Sequence, residues 1–219
     1  GRHGGLGEAI LLRFANEGYN VVVTDIGDSS DRHLASSSDM ESVAAGLKSQ
    51  GVDVLCLACD VRSPDSVAAL FDEVMARFGR LDILVNNAGI TGGNAPVWEL
   101  PVVEWRRVIE VNLVAPFIVA RAVVPHMRAA GYGRVVNIAS IAGKEGNAGI
   151  DSYSASKAGV TVNALAPAVI RTAMVDALPT EQVDHMTAKI PMRRCGTLDE
   201  ITHLAAFIVS RENSFTTGF

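Results

Sequence analysis

Short apolar runs alternate with amphipathic stretches of helical length along most of the chain. The apolar runs are rich in β-branched residues, which predicts strands at 20–25, 52–60, 81–87, 133–140 and 161–167. The stretches between them predict helices at about 6–17, 39–50, 64–78, 101–130 and 152–160. Ser63, Pro64 and Asp65 are typical of a helix start, since serine caps, proline suits the first position and acids favour the N-terminus.

The strand runs are apolar almost throughout, as expected of parallel strands that are covered on both faces. With the alternating helices they predict an α/β fold, a Rossmann-like doubly wound parallel sheet between two layers of helices. Ligands of such sheets bind beyond the carboxyl ends of the strands. Neither a repeat nor a linker interrupts residues 1–219, so the sequence predicts a single domain.

Two places in this pattern are too short for the fold. The glycine-rich turn at Gly1 has no strand before it, and the helix at 152–160 runs directly into the next strand. A parallel crossover normally takes a dozen or more residues. We therefore expect residues to be absent between Val160 and Thr161, before Gly1 and after Phe219.

Composition narrows the classes of function. The net charge is −5 and no run of lysine or arginine forms a basic stripe, so we expect no nucleic-acid partner. We expect no membrane span, since no apolar stretch stands out at about 18 residues, and no secretory signal. Cys56 and Cys59 would point to opposite faces of a strand, which predicts core thiols in a reducing cytoplasm. The five histidines lack metal-ligand spacing, so we expect no metal.

A glycine-rich turn is the first feature that carries chemistry. Gly1, Gly5 and Gly7 precede or open a predicted helix, where glycines let backbone N–H groups approach a pyrophosphate. Asp25 closes a strand 18 residues after Gly7 and could accept both hydroxyls of an adenosine ribose. Together they predict a nucleotide site. S-adenosylmethionine methyltransferases use a similar loop and acid, so these residues leave the type of nucleotide open.

Later motifs follow the predicted strands in a defined order. They are NNAG at 86–89, VNL at 111–113, NIASIAG at 137–143, YSASK at 153–157 and APAVIRTAM at 166–174. With the G-x-x-x-G-x-G turn, this set resembles the short-chain dehydrogenase/reductase family of classical type, from Gly1 to the C-terminus. The resemblance implies an oxidoreductase that exchanges a hydride between an alcohol or ketone and a nicotinamide cofactor.

The resemblance also implies a catalytic set. Tyr153 would be the general acid/base, although a free tyrosine has a pKa near 10 and is a poor base at neutral pH. The ammonium of Lys157, with the nicotinamide's positive charge, would lower that pKa, and Lys157 would also hold the nicotinamide ribose. Ser140 would bind the substrate oxygen. Asn112 would position a water that relays protons to Lys157.

Cofactor contacts carry over residue by residue from the family's motifs. They are Gly1, Gly5, Leu6, Gly7, Asp25, Asp60, Val61, Asn86, Ala88, Gly89, Tyr153, Lys157, Pro167, Ile170 and Thr172. Asn86 would mainly hold the sheet, and Ala168 stands where the family usually has glycine. Asp25 would repel a 2′-phosphate and so favours NAD, whereas Arg2 and His3 keep NADP open as an alternative.

The substrate side carries weaker patterns. Residues 174–194 resemble the family's mobile lid, and the substrate candidates are Ser140, Asn94, Ala142, Asn147 and Arg171. Their polar and basic character favours a small polar substrate such as a sugar or sugar acid. We therefore expect a cytoplasmic, NAD-dependent dehydrogenase that forms a homotetramer or dimer. The alternatives are an NAD(P)H-dependent carbonyl or 3-oxoacyl reductase, and a nucleotide-binding sensor or scaffold without turnover.

Overall fold

The computed structural model describes residues 4–27, 37–145, 149–159, 164–210 and 212–213. Gly1 and Asn147, both predicted to take part in the site, lie outside the described residues. So do Val160 and Thr161, where we expect residues to be absent.

Five parallel strands lie within the five predicted runs. They are β1 (Val21–Asp25), β2 (Val54–Ala58), β3 (Ile83–Asn86), β4 (Arg134–Ile138) and β5 (Ala164–Leu165). β1 pairs with β2, and β4 pairs with both β3 and β5, always in parallel. The prediction of a parallel α/β architecture is thus confirmed.

The described strands form two sheets, one of β1 and β2 and one of β3, β4 and β5. A cavity of about 1010 Å³ is lined by both sheets, by Val22 and Thr24 of β1 and by Leu84 and Val85 of β3. This cavity continues to the carboxyl ends of β1 and β3, where Asp25 and Asn86 line it. Any ligand that fills the carboxyl end therefore contacts both sheets.

The helices occupy the predicted stretches, with four more after β4. They are α1 (Leu6–Asn16), α2 (Ser37–Lys48), α3 (Pro64–Phe78), α4 (Val102–Ile109), α5 (Ala115–Ala129), α6 (Ala142–Glu145), α7 (Asp151–Ala158), α8 (Ala173–Asp176), α9 (Thr180–Ala188) and α10 (Leu198–Val209). A π-helical turn, Glu110–Val114, joins α4 to α5, so the predicted helix at 101–130 is one stretch with a local widening. Ser63 caps α3 as predicted, its side chain accepting the Ser66 N–H at 3.2 Å.

The main core lies where α1, α2 and α10 pack on the strands. Ile10 and Phe14 of α1, Leu47 of α2 and Val23 of β1 are buried there, with Val209 of α10. A second cluster joins α3 to α5 through Phe71, Val123 and Met127. These two cores hold in place the strand ends from which the site is built.

The stretch Val102–Ala129 is long and apolar enough to cross a membrane by length and composition alone, with a mean hydropathy of 1.8 over 18 residues. Our expectation that no such stretch exists is therefore wrong. The apolar character has a local cause, because Val108, Val123 and Met127 are buried inside the domain. Only 22% of the apolar window is buried, however, which leaves its outer face open.

Candidate active site

The glycine turn lies against the loop that follows β3. Gly4 has a φ of +72°, and Gly5 precedes the first residue of α1. A Cβ at Gly7 would lie 2.7 Å from Asn87 Nδ2, so the missing side chain leaves room for Asn87, and a larger residue would displace the Asn87 side chain. Gly5, Leu6 and Gly7 all line the cavity, and the N-terminus of α1 attracts anions.

Two carboxylates follow the two-stranded sheet. Asp25 ends β1, and one of its oxygens accepts the Ile26 N–H at 2.8 Å. Asp60 is held in two hydrogen bonds from the Arg62 guanidinium, at 2.9 and 2.7 Å, and these bonds lower the pKa of Asp60. Asp25, Asp60 and Val61 line the cavity as predicted for the adenosine end of a cofactor.

Asn86, Ala88 and Gly89 extend the same wall from the three-stranded sheet. The Asn86 side chain donates to Asn137 Oδ1 at 2.8 Å, and so ties β3 to β4, which is the role expected of it. A Cβ at Gly89 would lie 3.6 Å from Lys157 Nζ. Glycine here brings the loop close to Lys157.

Ser140, Tyr153 and Lys157 meet at the far end of the cavity. Ser140 follows β4, while Tyr153 and Lys157 lie one turn apart on α7, with Lys157 Nζ 5.8 Å from the centre of the Tyr153 ring. Ser140 is hydrogen-bonded to the Tyr153 side chain. Lys157 is buried, and its Nζ donates to the Ile138 carbonyl at 2.5 Å. The structure thus assembles a hydroxyl, a phenol and an amine in one wall.

Burial dominates the pKa values of this pair. It raises the pKa of Tyr153, and the hydrogen bond from Ser140 opposes this only in part. Burial also lowers the pKa of Lys157 to about 8. Among the protein's own groups, the loss of solvent therefore outweighs what favours the phenolate. The prediction that Lys157 and the nicotinamide's positive charge together lower the pKa of Tyr153 stays a prediction.

Asn112 lies in the π-helical turn and is buried at 1% exposure. Its Oδ1 accepts the Ile90 N–H at 2.9 Å, and its Nδ2 donates to the Ile90 carbonyl at 2.9 Å and to Ser156 Oγ at 3.0 Å. Both amide hydrogens are therefore used within the protein. The predicted role of Asn112 in holding a water stays a prediction, and the side chain joins a loop to α7.

Three of the predicted cofactor contacts, Pro167, Ile170 and Thr172, line the cavity, and so does Ala168. The Pro167 carbonyl accepts the Ile141 N–H at 3.1 Å, which ties this segment to the residue after Ser140. Thr172 caps α8 by accepting the Val175 N–H at 3.4 Å. The segment is thereby held between β4 and the start of the proposed lid.

The substrate candidates are spread around this end. Asn94 packs against Gly149, whose missing Cβ makes room for its side-chain oxygen. Ala142 is buried, and its N–H donates to Ser140 Oγ at 3.2 Å, so it contacts Ser140 through its backbone. Arg171 is exposed and paired with Asp176 at 2.9 Å. Of the lid stretch 174–194, Met174 and Val175 line the cavity.

Sequence patterns did not single out several residues that the structure brings to the site. They are Asn87, Ile90, Gly143 and Ser156. Each lies inside or beside a motif that had been recognised, but its role depends on contacts with distant parts of the chain. Their position in or next to a recognised motif was the only sign in the sequence that these residues belong to the site.

Comparisons with known proteins agree with this geometry. The family model described as short chain dehydrogenase matches residues 1–162, and one described as Enoyl-(Acyl carrier protein) reductase matches residues 158–219. The chain is 40% identical over 230 residues to a 2-dehydro-3-deoxy-L-rhamnonate dehydrogenase (NAD(+)) of Sphingomonas sp. (strain SKA58), covering 98% of this chain and 87% of that protein. It is 38% identical over 234 residues to a cis-4-hydroxycyclohexanecarboxylate dehydrogenase of Sinomonas cyclohexanicum, covering 100% and 90%.

A 3-oxoacyl-[acyl-carrier-protein] reductase of Staphylococcus aureus (strain Mu50 / ATCC 700699) is 36% identical, covering 98% of this chain and 90% of that protein. Among solved structures, NAD⁺-bound xylitol dehydrogenase matches with a TM-score of 0.86 and 30% identity, covering 98% of this chain and 92% of that one. An actinorhodin polyketide ketoreductase with NADPH matches with a TM-score of 0.84 and 32% identity, covering 98% and 89%.

Proposed function

This chain belongs to the short-chain dehydrogenase family, and we propose that it is an NAD-dependent oxidoreductase that interconverts a secondary alcohol and a ketone. One observation carries the proposal. Ser140, Tyr153 and Lys157 form one wall of the same cavity whose other end holds Asp25. A module that only binds a nucleotide does not need the first three.

The residues present fit a nicotinamide dinucleotide. Its phosphates would lie at Gly5, Leu6 and Gly7, which line the cavity at a helix N-terminus, and its adenosine ribose at Asp25, which ends β1. When bound, NAD accepts the hydride from the carbinol carbon. An acid at Asp25 repels a 2′-phosphate, which supports NAD over NADP. The relative named as using NAD(+) and the NAD⁺-bound xylitol dehydrogenase support the same choice.

In alcohol oxidation, Tyr153 would remove the hydroxyl proton as the carbonyl forms. Ser140 would donate to the substrate oxygen and hold it against the phenol, to which Ser140 is already hydrogen-bonded. Lys157 would stabilise the phenolate by its charge and would contact the nicotinamide ribose. In the reverse direction the phenol returns its proton to the oxygen of the reduced carbon.

We propose a small polar substrate, a sugar acid or a related hydroxy acid. Two relatives are named for acids that carry a carboxylate besides the reacting oxygen, a deoxy-rhamnonate and a hydroxycyclohexanecarboxylate. Arg171 begins the segment that leads into the lid, and its exposed guanidinium is paired with Asp176 at 2.9 Å, so a substrate carboxylate would replace Asp176 there. Met174 and Val175 would contact the carbon skeleton.

Turnover tests this proposal directly. NADH formation is followed with NAD⁺ or NADP⁺ over a panel of polyols, aldonic acids and hydroxy acids, for the wild type and Tyr153→Phe. We expect turnover of a hydroxylated acid with NAD⁺, and loss of at least a hundredfold in kcat on Tyr153→Phe with NADH binding retained. Activity that survived Tyr153→Phe would remove Tyr153 from the acid/base role.

The second candidate is a 3-oxoacyl reductase, which the Staphylococcus relatives favour. It would reduce a 3-oxoacyl thioester with NADH or NADPH. The same assay is therefore run with such a thioester and both reduced cofactors. A kcat/KM for the thioester that is higher than for every acid on the panel would favour the 3-oxoacyl reductase over the dehydrogenase that we propose.

We propose that the protein is cytoplasmic and forms a homotetramer or dimer. The outer face of Val102–Ala129 supports self-association, since Val103 and Phe117 are 71% and 64% exposed. Three unbonded cysteines suit a reducing compartment. Light scattering on the purified protein should give a molar mass that is a multiple of 23.1 kDa. Phe117→Glu should lower that molar mass. A wild type that is monomeric at micromolar concentration would contradict the assembly.

We also propose that residues present in relatives are absent from this chain between Val160 and Thr161. The alignment with the Sinomonas enzyme spans 234 positions for 219 residues, leaving about 15 positions (234 less 219) without a counterpart. The two family matches meet at residues 158–162. Resequencing the coding region tests this. A sequence that restores a helix-length insertion there would support the proposal. An alignment that placed the unmatched positions elsewhere in the chain would contradict it.

A further inference from the structure

Ser156 joins two parts of the site that are far apart in sequence. It lies in the last turn of α7, two residues before the helix ends, and is completely buried. Its hydroxyl donates to the Tyr153 carbonyl at 2.7 Å and accepts from Asn112 Nδ2 at 3.0 Å. The hydroxyl therefore uses both its donor and an acceptor site within the protein.

Asn112 continues this connection to the loop after β3. Its amide holds both the N–H and the carbonyl of Ile90, each at 2.9 Å. Ile90 follows Gly89, which lies beside Lys157. The path from Ile90 through Asn112 and Ser156 to Tyr153 is buried, where hydrogen bonds are stronger than in water and leaving one unmade is costly.

We propose that Ser156 is a positioning residue for the dehydrogenase reaction, because it holds α7 in register with the π-helical turn and so sets the place of Tyr153. It contacts neither cofactor nor substrate and acts through Asn112 and the Tyr153 backbone. This inference rests on the proposed function, since it assigns Tyr153 the proton transfer.

Ser152 supplies a matched control on the same helix. It is one turn before Ser156 and equally buried, at 0% exposure. Among the described residues, however, its hydroxyl has no hydrogen-bond partner. Ser152→Ala and Ser156→Ala thus delete the same atom from the same environment, and only the second deletion breaks a connection.

The experiment compares kcat, KM and the pH profile of alcohol oxidation in the wild type, Ser156→Ala, Ser156→Cys and Ser152→Ala. We expect Ser156→Ala to lower kcat about tenfold with KM changed less than twofold. The acid limb of the pH profile should move to higher pH in Ser156→Ala. The Ser140 hydroxyl and the Lys157 ammonium lie beside the Tyr153 ring, and the variant holds Tyr153 less firmly near both groups. Ser156→Cys should recover part of kcat, and Ser152→Ala should match the wild type.

Equal kcat and pH profiles for Ser156→Ala and Ser152→Ala would overturn the proposal. A second measurement applies if Ser156→Ala folds poorly or if no substrate turns over. It is the ultraviolet titration of Tyr153, obtained by subtracting the titration curve of the Tyr153→Phe protein. The chain has three tyrosines, which keeps this difference resolvable. If no substrate turns over, the proposed function fails. Even then, a Tyr153 titration that shifts in Ser156→Cys but not in Ser152→Ala supports the positioning role, and an unshifted one refutes it.

Discussion

Lys157 carries its charge where a charge is costly. Its side chain is 6% exposed, and burial lowers the pKa of its ammonium to about 8. An unfolded lysine titrates near 10.4, so between about pH 8 and 10.4 the unfolded chain binds more protons than the folded one. Stability from this group therefore rises with pH across that window, and below it the buried charge destabilises the fold.

We expect Lys157→Met to raise the free energy of unfolding at pH 7 by roughly 1 to 3 kcal/mol, because a neutral chain of similar length removes the desolvation cost. The gain should shrink as pH rises from about 8 towards 10. Urea unfolding at several pH values measures this, with the exposed Lys48→Met as control. A variant less stable than the wild type at pH 7 would show that the bond to Ile138 outweighs desolvation.

Gly143 allows α6 to touch the backbone of the catalytic lysine. A Cβ there would lie 2.6 Å from the Lys157 carbonyl carbon, whereas a Cβ at Gly46 in α2 would meet no atom within 4 Å. Close packing against backbone cannot be relieved by a rotamer change. The glycine of the NIASIAG motif is therefore required by its approach to α7.

Gly143→Ala should destabilise the fold by about 1–3 kcal/mol through overpacking, and should lower kcat by displacing Lys157. Gly46→Ala should instead stabilise by up to about 1 kcal/mol, because alanine is the better helix former. Thermal unfolding and steady-state kinetics on both variants test the contrast. The close approach would be refuted if the two variants changed stability in the same direction.

At the scale of elements, helix boundaries follow from short local signals. α3 begins at Pro64 after the Ser63 cap, and ends at Gly79, whose φ of +68° suits the left-handed end of a helix. α10 begins with a capping box of Thr197 and Glu200. Such signals are visible in sequence because donor and acceptor lie within four residues of each other.

Ser63→Ala should lower the free energy of unfolding by about 1 kcal/mol, because the Ser66 N–H loses its acceptor. Ser63→Asp should retain most of the stability, since a carboxylate caps the same N–H and suits the helix N-terminus. Denaturant unfolding of both variants gives the comparison. Equal losses of unfolding free energy in Ser63→Ala and Ser63→Asp would mean that Ser63 stabilises the helix through packing and not through its cap.

At the scale of the whole molecule, the cofactor site draws on both sheets. Asp25 and Asp60 follow the two-stranded sheet, while Ala88 and Ser140 follow the three-stranded one. A dinucleotide bound along these residues would contact the ends of strands from both sheets. Binding energy at this site is also stability of the domain.

We expect NADH at a thousandfold excess over Kd to stabilise the protein by about 4 kcal/mol. Amide exchange should slow in the backbone that the dinucleotide would contact, at Leu6 and Gly7 of α1 and at Asp25. Asp25→Asn should weaken the stabilisation by NADH and narrow the preference for NADH over NADPH. An unfolding midpoint that NADH leaves unchanged would contradict a dinucleotide site in this cavity.

The sequence by itself determined the parallel strands, the order of the motifs and the membership of a family, since these depend on hydrophobic period, turn residues and spacing along the chain. Tertiary structure alone decided which groups meet. Asn112 reaches Ile90, 22 residues away, and Ser156, 44 residues away, and no local pattern encodes either contact. It likewise decided that burial raises the pKa of Tyr153, because the loss of solvent is a property of the packed domain.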